Sequence, residues 1–134
     1  MLIQSYLFFD GRAEEAIDFY KKAVGAKVEM LMRNKESPDP KMCTPSTEEK
    51  IMHAAIKIGE TTVMLSDGYA KGQPKFEGFG LALSTKTGAE ADKIFDALSD
   101  GGKVSMPLSK TFFSASFGML HDKFGVQWMI MVSP

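Results

Sequence analysis

The sequence predicts an α+β fold built from two β-α-β-β-β modules. Each half of the chain holds one stretch with helical spacing of apolar residues, and shorter stretches around it resemble strands. Similar segments recur about 65–75 residues apart, a period that fits two modules and not a solenoid. We therefore expect a single domain over residues 1–134, with module one at about 1–68 and module two at about 76–134. The matching segments are Ala13-Glu14-Glu15-Ala16 with Gly88-Ala89-Glu90-Ala91, and Gly25-Ala26-Lys27-Val28 with Gly101-Gly102-Lys103-Val104.

The first module opens with an apolar strand that Asp10-Gly11 ends. A helix follows, because apolar residues recur at helical spacing, and Gly25 is expected to end it. Gly59-Glu60 has the length of a two-residue hairpin turn between two of the later strands. The predicted strands of this module are residues 2–9, 27–33, 51–58 and 61–66.

The second module repeats this order. Thr87 and Glu90 form a capping-box pattern at the start of its helix, and Gly101-Gly102 stops the helix. The predicted strands of this module are residues 79–84, 103–106, 114–120 and 126–132.

Composition excludes several classes of function. The chain has 16 basic and 17 acidic residues and no basic block, so nucleic-acid binding is not expected. Neither a signal-peptide pattern nor an apolar run of about 18 residues is present, which predicts a cytoplasmic protein without a membrane partner. The single Cys43 permits no intrachain disulfide and no cysteine cluster for zinc.

Residues 35–49 are predicted to form a long, mobile loop. They include Pro38, Pro40 and Pro45 among mostly polar residues and show no periodicity.

Several segments together resemble the PhnB-like branch of the vicinal-oxygen-chelate superfamily, which includes glyoxalase I, bleomycin- and fosfomycin-resistance proteins and extradiol dioxygenases. The resemblance covers nearly the whole chain. It implies a glyoxalase-like fold with an open, curved mixed sheet. It also implies a homodimer, for which the apolar strands at residues 4–9 and 79–84 are the expected contact region. The segments that carry it are residues 6–11, 13–20, 53–59, 64–67, 101–108 and 117–129.

The same resemblance indicates where a metal ion would be bound. In the metalloenzyme relatives, ligands come from the first and last strands of each module. Those positions fall near Ser5, Met64, Gly80 and Met129, with Gln4 and Phe79 as alternates for the first strands. Divalent metals in such sites need histidine nitrogen or carboxylate oxygen. We therefore expect neither a catalytic metal nor another cofactor.

If Met64 and Met129 occupy the former ligand positions, their strand faces line a cavity. Methionine suits adaptable binding surfaces, and Thr62, Ser66 and Gln127 would supply polar groups there. The alternative is that these methionines simply fill the core.

His53 is the remaining candidate site residue. It shares a strand face with Ala55 and Lys57, opposite the packed face, and could act as a general base. A structural or solvated histidine is the simpler interpretation, because no Asp or Ser partner is visible in the sequence. His121-Asp122 resembles a dyad, but adjacent strand residues point to opposite faces and Asp122 fits a turn.

Two main hypotheses follow. One is a metal-free protein that binds a small molecule through His53, Thr62, Met64, Ser66, Gln127 and Met129. The other is a lyase, dioxygenase or transferase that uses His53 or an atypical metal. Some PhnB-like proteins are described as ubiquinone methyltransferases, but no strand here is followed by a G-x-G-x-x-G turn. A third hypothesis is a scaffold whose dimer surface is its role.

Overall fold

The computed structural model describes residues 1–38, 47–68 and 74–133. It contains eight strands and two α-helices, divided between two compact units, Met1–Pro74 and Lys75–Pro134. Each unit has the order β-α-β-β-β and forms a four-stranded mixed sheet with one helix packed against it. The predicted α+β class and the two-module repeat are confirmed.

In the first unit, the strand order across the sheet is β1-β4-β3-β2. The pair β1–β4 is parallel, and the pairs β3–β4 and β2–β3 are antiparallel. The elements of this unit are β1 (Tyr6–Phe8), α1 (Ala13–Val24), β2 (Lys27–Arg33), a 3-10 turn (Asn34–Glu36), β3 (Ile51–Ile58) and β4 (Thr61–Ser66).

The second unit repeats the topology, with the order β5-β8-β7-β6 and a parallel pair β5–β8. The pairs β7–β8 and β6–β7 are antiparallel. The elements of this unit are β5 (Leu81–Thr85), α2 (Gly88–Ser99), β6 (Lys103–Ser109), β7 (Phe117–His121) and β8 (Gln127–Val132).

Each core lies between one sheet face and one helix. Period-two alternation buries Leu65 in the first sheet and Trp128 in the second, while their strand neighbours Met64 and Met129 stay partly exposed. The predicted packed faces are therefore confirmed by burial. The core side chains are Leu7, Ala16, Ile17, Tyr20, Ile56 and Leu65 in one unit, and Ala91, Phe95, Leu98, Leu120, Trp128 and Ile130 in the other.

The predicted turns and caps fix the ends of these elements. Gly25 ends α1 in a left-handed conformation with φ 68°, and Gly59 makes the β3–β4 turn with φ 60°. The Thr87 hydroxyl accepts a hydrogen bond from the Glu90 amide at 3.2 Å at the start of α2.

The outer strands β2 and β6 each have one neighbour in their sheet. Each has two register irregularities, and most of their residues are exposed. Pro107 lies inside β6 and has no amide hydrogen to donate, a loss that an edge strand tolerates.

Some predicted bounds differ from the structure. The first strand covers three residues and not 2–9, because Leu2 and Ile3 are 78% and 91% exposed and pairing with β4 starts at Tyr6. The strand predicted at 114–120 begins at Phe117. Of the predicted loop, residues 39–46, with Cys43, lie outside the described residues.

Candidate functional site

The first sheet has an open face, defined here as the face opposite α1. Register places Tyr6 beside Met64, Met64 beside Ala55, and Ala55 beside Met30, in one row across all four strands. Tyr6, Met64 and Ala55 are partly exposed, and Met30 is 40% exposed. His53 lies two residues before Ala55 on this face.

Tyr6 and His53 form the central polar contact of the open face. The Tyr6 hydroxyl lies 2.9 Å from His53 Nδ1, at hydrogen-bond distance, and the two rings stack with centroids 5.5 Å apart. Phe8 extends the aromatic cluster, with its centroid 4.9 Å from that of Tyr6. His53 therefore has the partner that the sequence did not reveal, because Tyr6 is 47 residues away along the chain.

Thr62 and Ser66 are already bonded inside the first unit. The Thr62 hydroxyl donates to Glu29 Oε1 at 2.7 Å. Ser66 is 2% exposed, and its hydroxyl accepts a hydrogen bond from the Gly68 amide at 3.1 Å. A ligand that accepted a hydrogen bond from Thr62 would have to displace Glu29, and the burial of Ser66 limits the access of a ligand to its hydroxyl.

Gln127 and Met129 lie on β8 in the second unit, on the face of the sheet opposite α2. Gln127 pairs with His121, and Met129 pairs with Met119. Both side chains are partly exposed. Gly80 allows the Gln127 backbone to approach, because a Cβ there would lie 3.3 Å from the Gln127 carbonyl oxygen.

Strand register shows which first-strand residues lie beside Met64 and Met129. The first-strand residues beside Met64 and Met129 are Tyr6 and Ala82, and not Ser5 and Gly80. Thioethers, a phenol and an alanine do not form a ligand set for a hard divalent ion. Within residues 1–38, 47–68 and 74–133, no three His, Cys, Asp or Glu side chains cluster as a metal site would require.

His121 and Asp122 do not form a dyad. His121 Nδ1 lies 3.2 Å from the Ser105 hydroxyl. Asp122 is 3% exposed and accepts bonds from the Phe124 and Val126 amides and from the Trp128 indole, at 2.9, 3.0 and 2.9 Å. The turn role predicted for Asp122 is confirmed. The structure also shows its hydrogen bond with the Trp128 indole, which the sequence did not predict.

Asp67 has a structural role that the sequence did not show. It is 2% exposed, and Oδ1 accepts bonds from the Gly11 and Ala13 amides at 2.7 and 2.9 Å. Its Oδ2 accepts a bond from the Ile51 amide at 2.8 Å. One carboxylate therefore caps α1 and joins that helix to the start of β3.

Arg12 and Arg33 are both paired with carboxylates. Arg12 contacts Glu15 at 2.9 Å. Arg33 contacts Glu14, and its Nε lies 3.8 Å from Glu49. The hydrogen bond from Arg33 lowers the pKa of Glu14, although partial desolvation opposes the change.

Similarity to known proteins agrees with this architecture. Residues 2–131 match the family described as 3-demethylubiquinone-9 3-methyltransferase. Protein YjdN from Escherichia coli is 34% identical over 98% of this chain and 95% of its own length. The crystal structure of protein PA1353 from Pseudomonas aeruginosa is 37% identical, with a TM-score of 0.87 over 99% of this chain and 98% of that one.

A more distant structure carries the description that names the branch. The PhnB protein from Bacillus cereus, described as a putative 3-demethylubiquinone-9 3-methyltransferase, is 28% identical with a TM-score of 0.83. The match covers 99% of this chain and 100% of the PhnB protein. The fosfomycin resistance protein FosX from Listeria monocytogenes shares the fold, with a TM-score of 0.66 at 9% identity.

The two β-α-β-β-β units define a protein of the vicinal-oxygen-chelate fold. The chain belongs to the PhnB-like family, the family described as 3-demethylubiquinone-9 3-methyltransferase. Within the described ranges, neither helix is long and apolar enough to cross a bilayer.

Proposed function

We propose that this protein binds a small, partly apolar molecule on the open face of its first sheet. The observation that carries the proposal is the Tyr6–His53 pair, which places a hydrogen-bonding imidazole beside Met64 on a partly exposed face. An apolar surface with a few placed polar groups is the usual composition of a ligand site.

The side chains around this pair favour a flat ligand with one polar group. Phe8 is 54% exposed and offers a ring face for stacking, while Met64 adapts its shape to the ligand. Within the described residues, Tyr6 is the only hydrogen-bond partner of the His53 imidazole, so Nε2 can bond the polar group of a ligand.

Four other proposed ligand-binding residues have smaller or separate roles. Thr62 and Ser66 border the open face but already bond within the chain. Gln127 and Met129 provide an amide and a thioether on the second sheet. His53, Thr62, Met64 and Ser66 are the proposed binding residues of the first sheet, with His53 and Met64 expected to have the largest effect. Gln127 and Met129 are proposed as binding residues of the second sheet taken by itself.

Methionine methyl groups provide the test. With ¹³C-methyl methionine, addition of indole or 2-naphthol should shift the signals of Met64 and of Met32, which is the β2 partner of His53. The Met52 signal should not move, because Met52 alternates with His53 on the opposite strand face. Tyr6→Phe should weaken 2-naphthol binding several-fold, since His53 loses its orienting partner. Equal shifts at Met52 and Met64, or no shift at either, would contradict the proposal.

We also propose that binding needs no divalent metal, because Tyr6, Met64, Ala82 and Met129 supply no suitable ligand set. EDTA should leave the melting temperature unchanged. A stoichiometric zinc, nickel, manganese or iron ion in the purified protein would refute this part.

A second candidate is an enzyme in which His53 is the base. The Tyr6 contact favours it, because a histidine needs an orienting partner to hold one tautomer. A base at Nε2 requires the proton on Nδ1, donated to the Tyr6 oxygen. ¹⁵N chemical shifts of His53 distinguish this tautomer from the one in which Tyr6 donates to Nδ1, and the latter would exclude a base at Nε2.

The methyltransferase activity in the family description is not what the site favours, because no strand is followed by a G-x-G-x-x-G turn. We further propose that the protein acts in the cytoplasm as a homodimer, with residues 1–134 as one functional domain. The even charge balance gives no reason to add a nucleic-acid partner.

A further inference from the structure

We propose that the second sheet binds a soft monovalent cation, Cu(I), through the thioethers of Met106, Met119 and Met129. This site lies on the second sheet, and Met129 is the one residue that it shares with those proposed above for small-molecule binding. We call these three side chains the methionine row.

Strand register brings the methionine row together. Met119 on β7 is the Cα partner of Met106 on β6 and of Met129 on β8. Side chains at paired positions of a regular ladder have Cβ atoms about 4.5–5.5 Å apart on the same sheet face. Met119 and Met129 pair in a regular register, whereas the register of β6 shifts on both sides of Met106. Met119 therefore has a methionine on each side, and the flexible outer side chains can turn their sulfur atoms towards it.

The methionine row is accessible and is not part of the packed core. Met106 is 42% exposed, and Met119 and Met129 are partly exposed. None of the methionines within the described residues is buried, whereas the helix-covered faces bury Leu, Ile, Val, Phe and Trp. Methionine is therefore concentrated where the sheets are open.

Thioether chemistry identifies the ion. Thioether sulfur is a soft, uncharged donor that suits Cu(I), whereas magnesium, calcium and manganese prefer oxygen donors. A thioether has no proton to lose, so binding should not need the high pH that thiol ligands require. The methionine row therefore selects ions by the softness of the ion and not by its charge.

The first sheet contains a natural control. Its equivalent row is Tyr6, Met64, Ala55 and Met30, in which Ala55 separates the two methionines. Two separated thioethers should bind a soft ion more weakly than three adjacent ones. The same fold therefore offers one row that should bind Cu(I) and one that should not.

Ag(I) is the probe, because it shares the softness of Cu(I) and is stable in air. All variants carry Cys43→Ser, so that the thiol does not compete for the ion. Native mass spectrometry and calorimetry should show one Ag(I) per chain. Met119→Leu should weaken binding at least tenfold, while Met64→Leu should leave it unchanged. Met106→Leu, an exposed position, gives a second variant that should fold normally and also bind at least several-fold more weakly.

Methyl signals locate the ion independently of affinity. Met106, Met119 and Met129 should shift together with Ag(I), and Met30 and Met64 should not. A final titration with Cu(I) is done under anaerobic conditions against a competing chelator. It should rank the variants by affinity in the same order as Ag(I) does. Binding no tighter than to free methionine, or equal losses from Met64→Leu and Met119→Leu in folded proteins, would overturn the proposal.

Discussion

At the residue scale, Trp128 combines the largest buried side chain with a polar contact. Its indole is 2% exposed and donates a hydrogen bond to Asp122 Oδ2 at 2.9 Å. The same carboxylate accepts two backbone amides in the turn that precedes β8. The turn and the second core are therefore fixed by one pair of side chains.

Removing this indole should destabilise the protein strongly. Trp128→Ala should lower the free energy of unfolding by about 3–5 kcal/mol, because it leaves a large cavity. Urea unfolding measures the loss. Phe112→Ala is the control, since Phe112 is fully exposed, and it should change stability by less than about 0.5 kcal/mol. A loss below about 1 kcal/mol at Trp128 would show that its burial contributes little.

At the element scale, the two helices begin in different ways. Thr87, directly before α2, caps that helix from its own sequence neighbourhood. The residue before α1, Arg12, makes no side-chain cap, and the distant Asp67 bonds the Gly11 and Ala13 amides instead. The start of α1 thus depends on tertiary structure.

This difference predicts unequal effects of removing the caps. Thr87→Ala should cost about 1 kcal/mol, as for an ordinary N-cap. Asp67→Ala should cost roughly 2–4 kcal/mol, because it leaves three backbone amides without their buried carboxylate. Hydrogen exchange should also become faster at Gly11, Ala13 and Ile51 in that variant. Equal losses from the two substitutions would show that Asp67 acts only as a local cap.

The ion pair between α1 and the end of β2 should give a small dependence of stability on pH. The pKa of Glu14 is lowered by its hydrogen bond to Arg33. A lowered folded-state pKa gives stability that is present above the unfolded pKa of glutamate, at about 4.3, and is lost as pH falls through the folded pKa. Because Glu14 is exposed, the contribution should stay within about 1 kcal/mol.

Melting temperatures of the protein and of Glu14→Gln test this dependence. The protein should be the more stable of the two at pH 7, and the difference should shrink as pH falls below about 4. Glu60→Gln, in the exposed hairpin turn, is the control and should show no such trend. A difference that is constant from pH 7 to pH 3 would mean that the charge of Glu14 has no part in it.

The sequence predicted most elements because local patterns determine them. Alternation and two-residue turns gave β3 and β4 with the bounds that the structure shows, 51–58 and 61–66. The contacts of Tyr6 with His53 and of Asp67 with Ala13 join residues 47 and 54 positions apart, so no local pattern contains them. The face that carries Met64 was predictable, but the partner of His53 was not.

At the scale of the whole molecule, we predict a homodimer. The strands expected at the interface include β1 and β5, which are the other edge of each sheet. Phe8 in β1 is 54% exposed, and Phe79, two residues before β5, is 47% exposed. An apolar edge without cover favours association. A stable twofold interface should bury more than about 1,000 Å² in total.

Sedimentation at micromolar concentration tests the dimer. The expected species has about twice the chain mass of 14.7 kDa. Phe79→Lys should shift the equilibrium towards the monomer, whereas Lys103→Glu on the opposite edge should not. A 14.7 kDa species alone would refute the prediction.

The irregular outer strands also bear on how the protein behaves at high concentration. A strand from another molecule could extend a sheet only along a regular edge with free amide hydrogens. On β6, Pro107 and the shifted register interrupt that edge, and on β2 a register shift and the charges of Lys27 and Glu29 have the same effect. We therefore expect these edges to resist fibril growth from the folded state. Pro107→Val should remove this protection, and the variant should aggregate faster than the protein in concentrated solution.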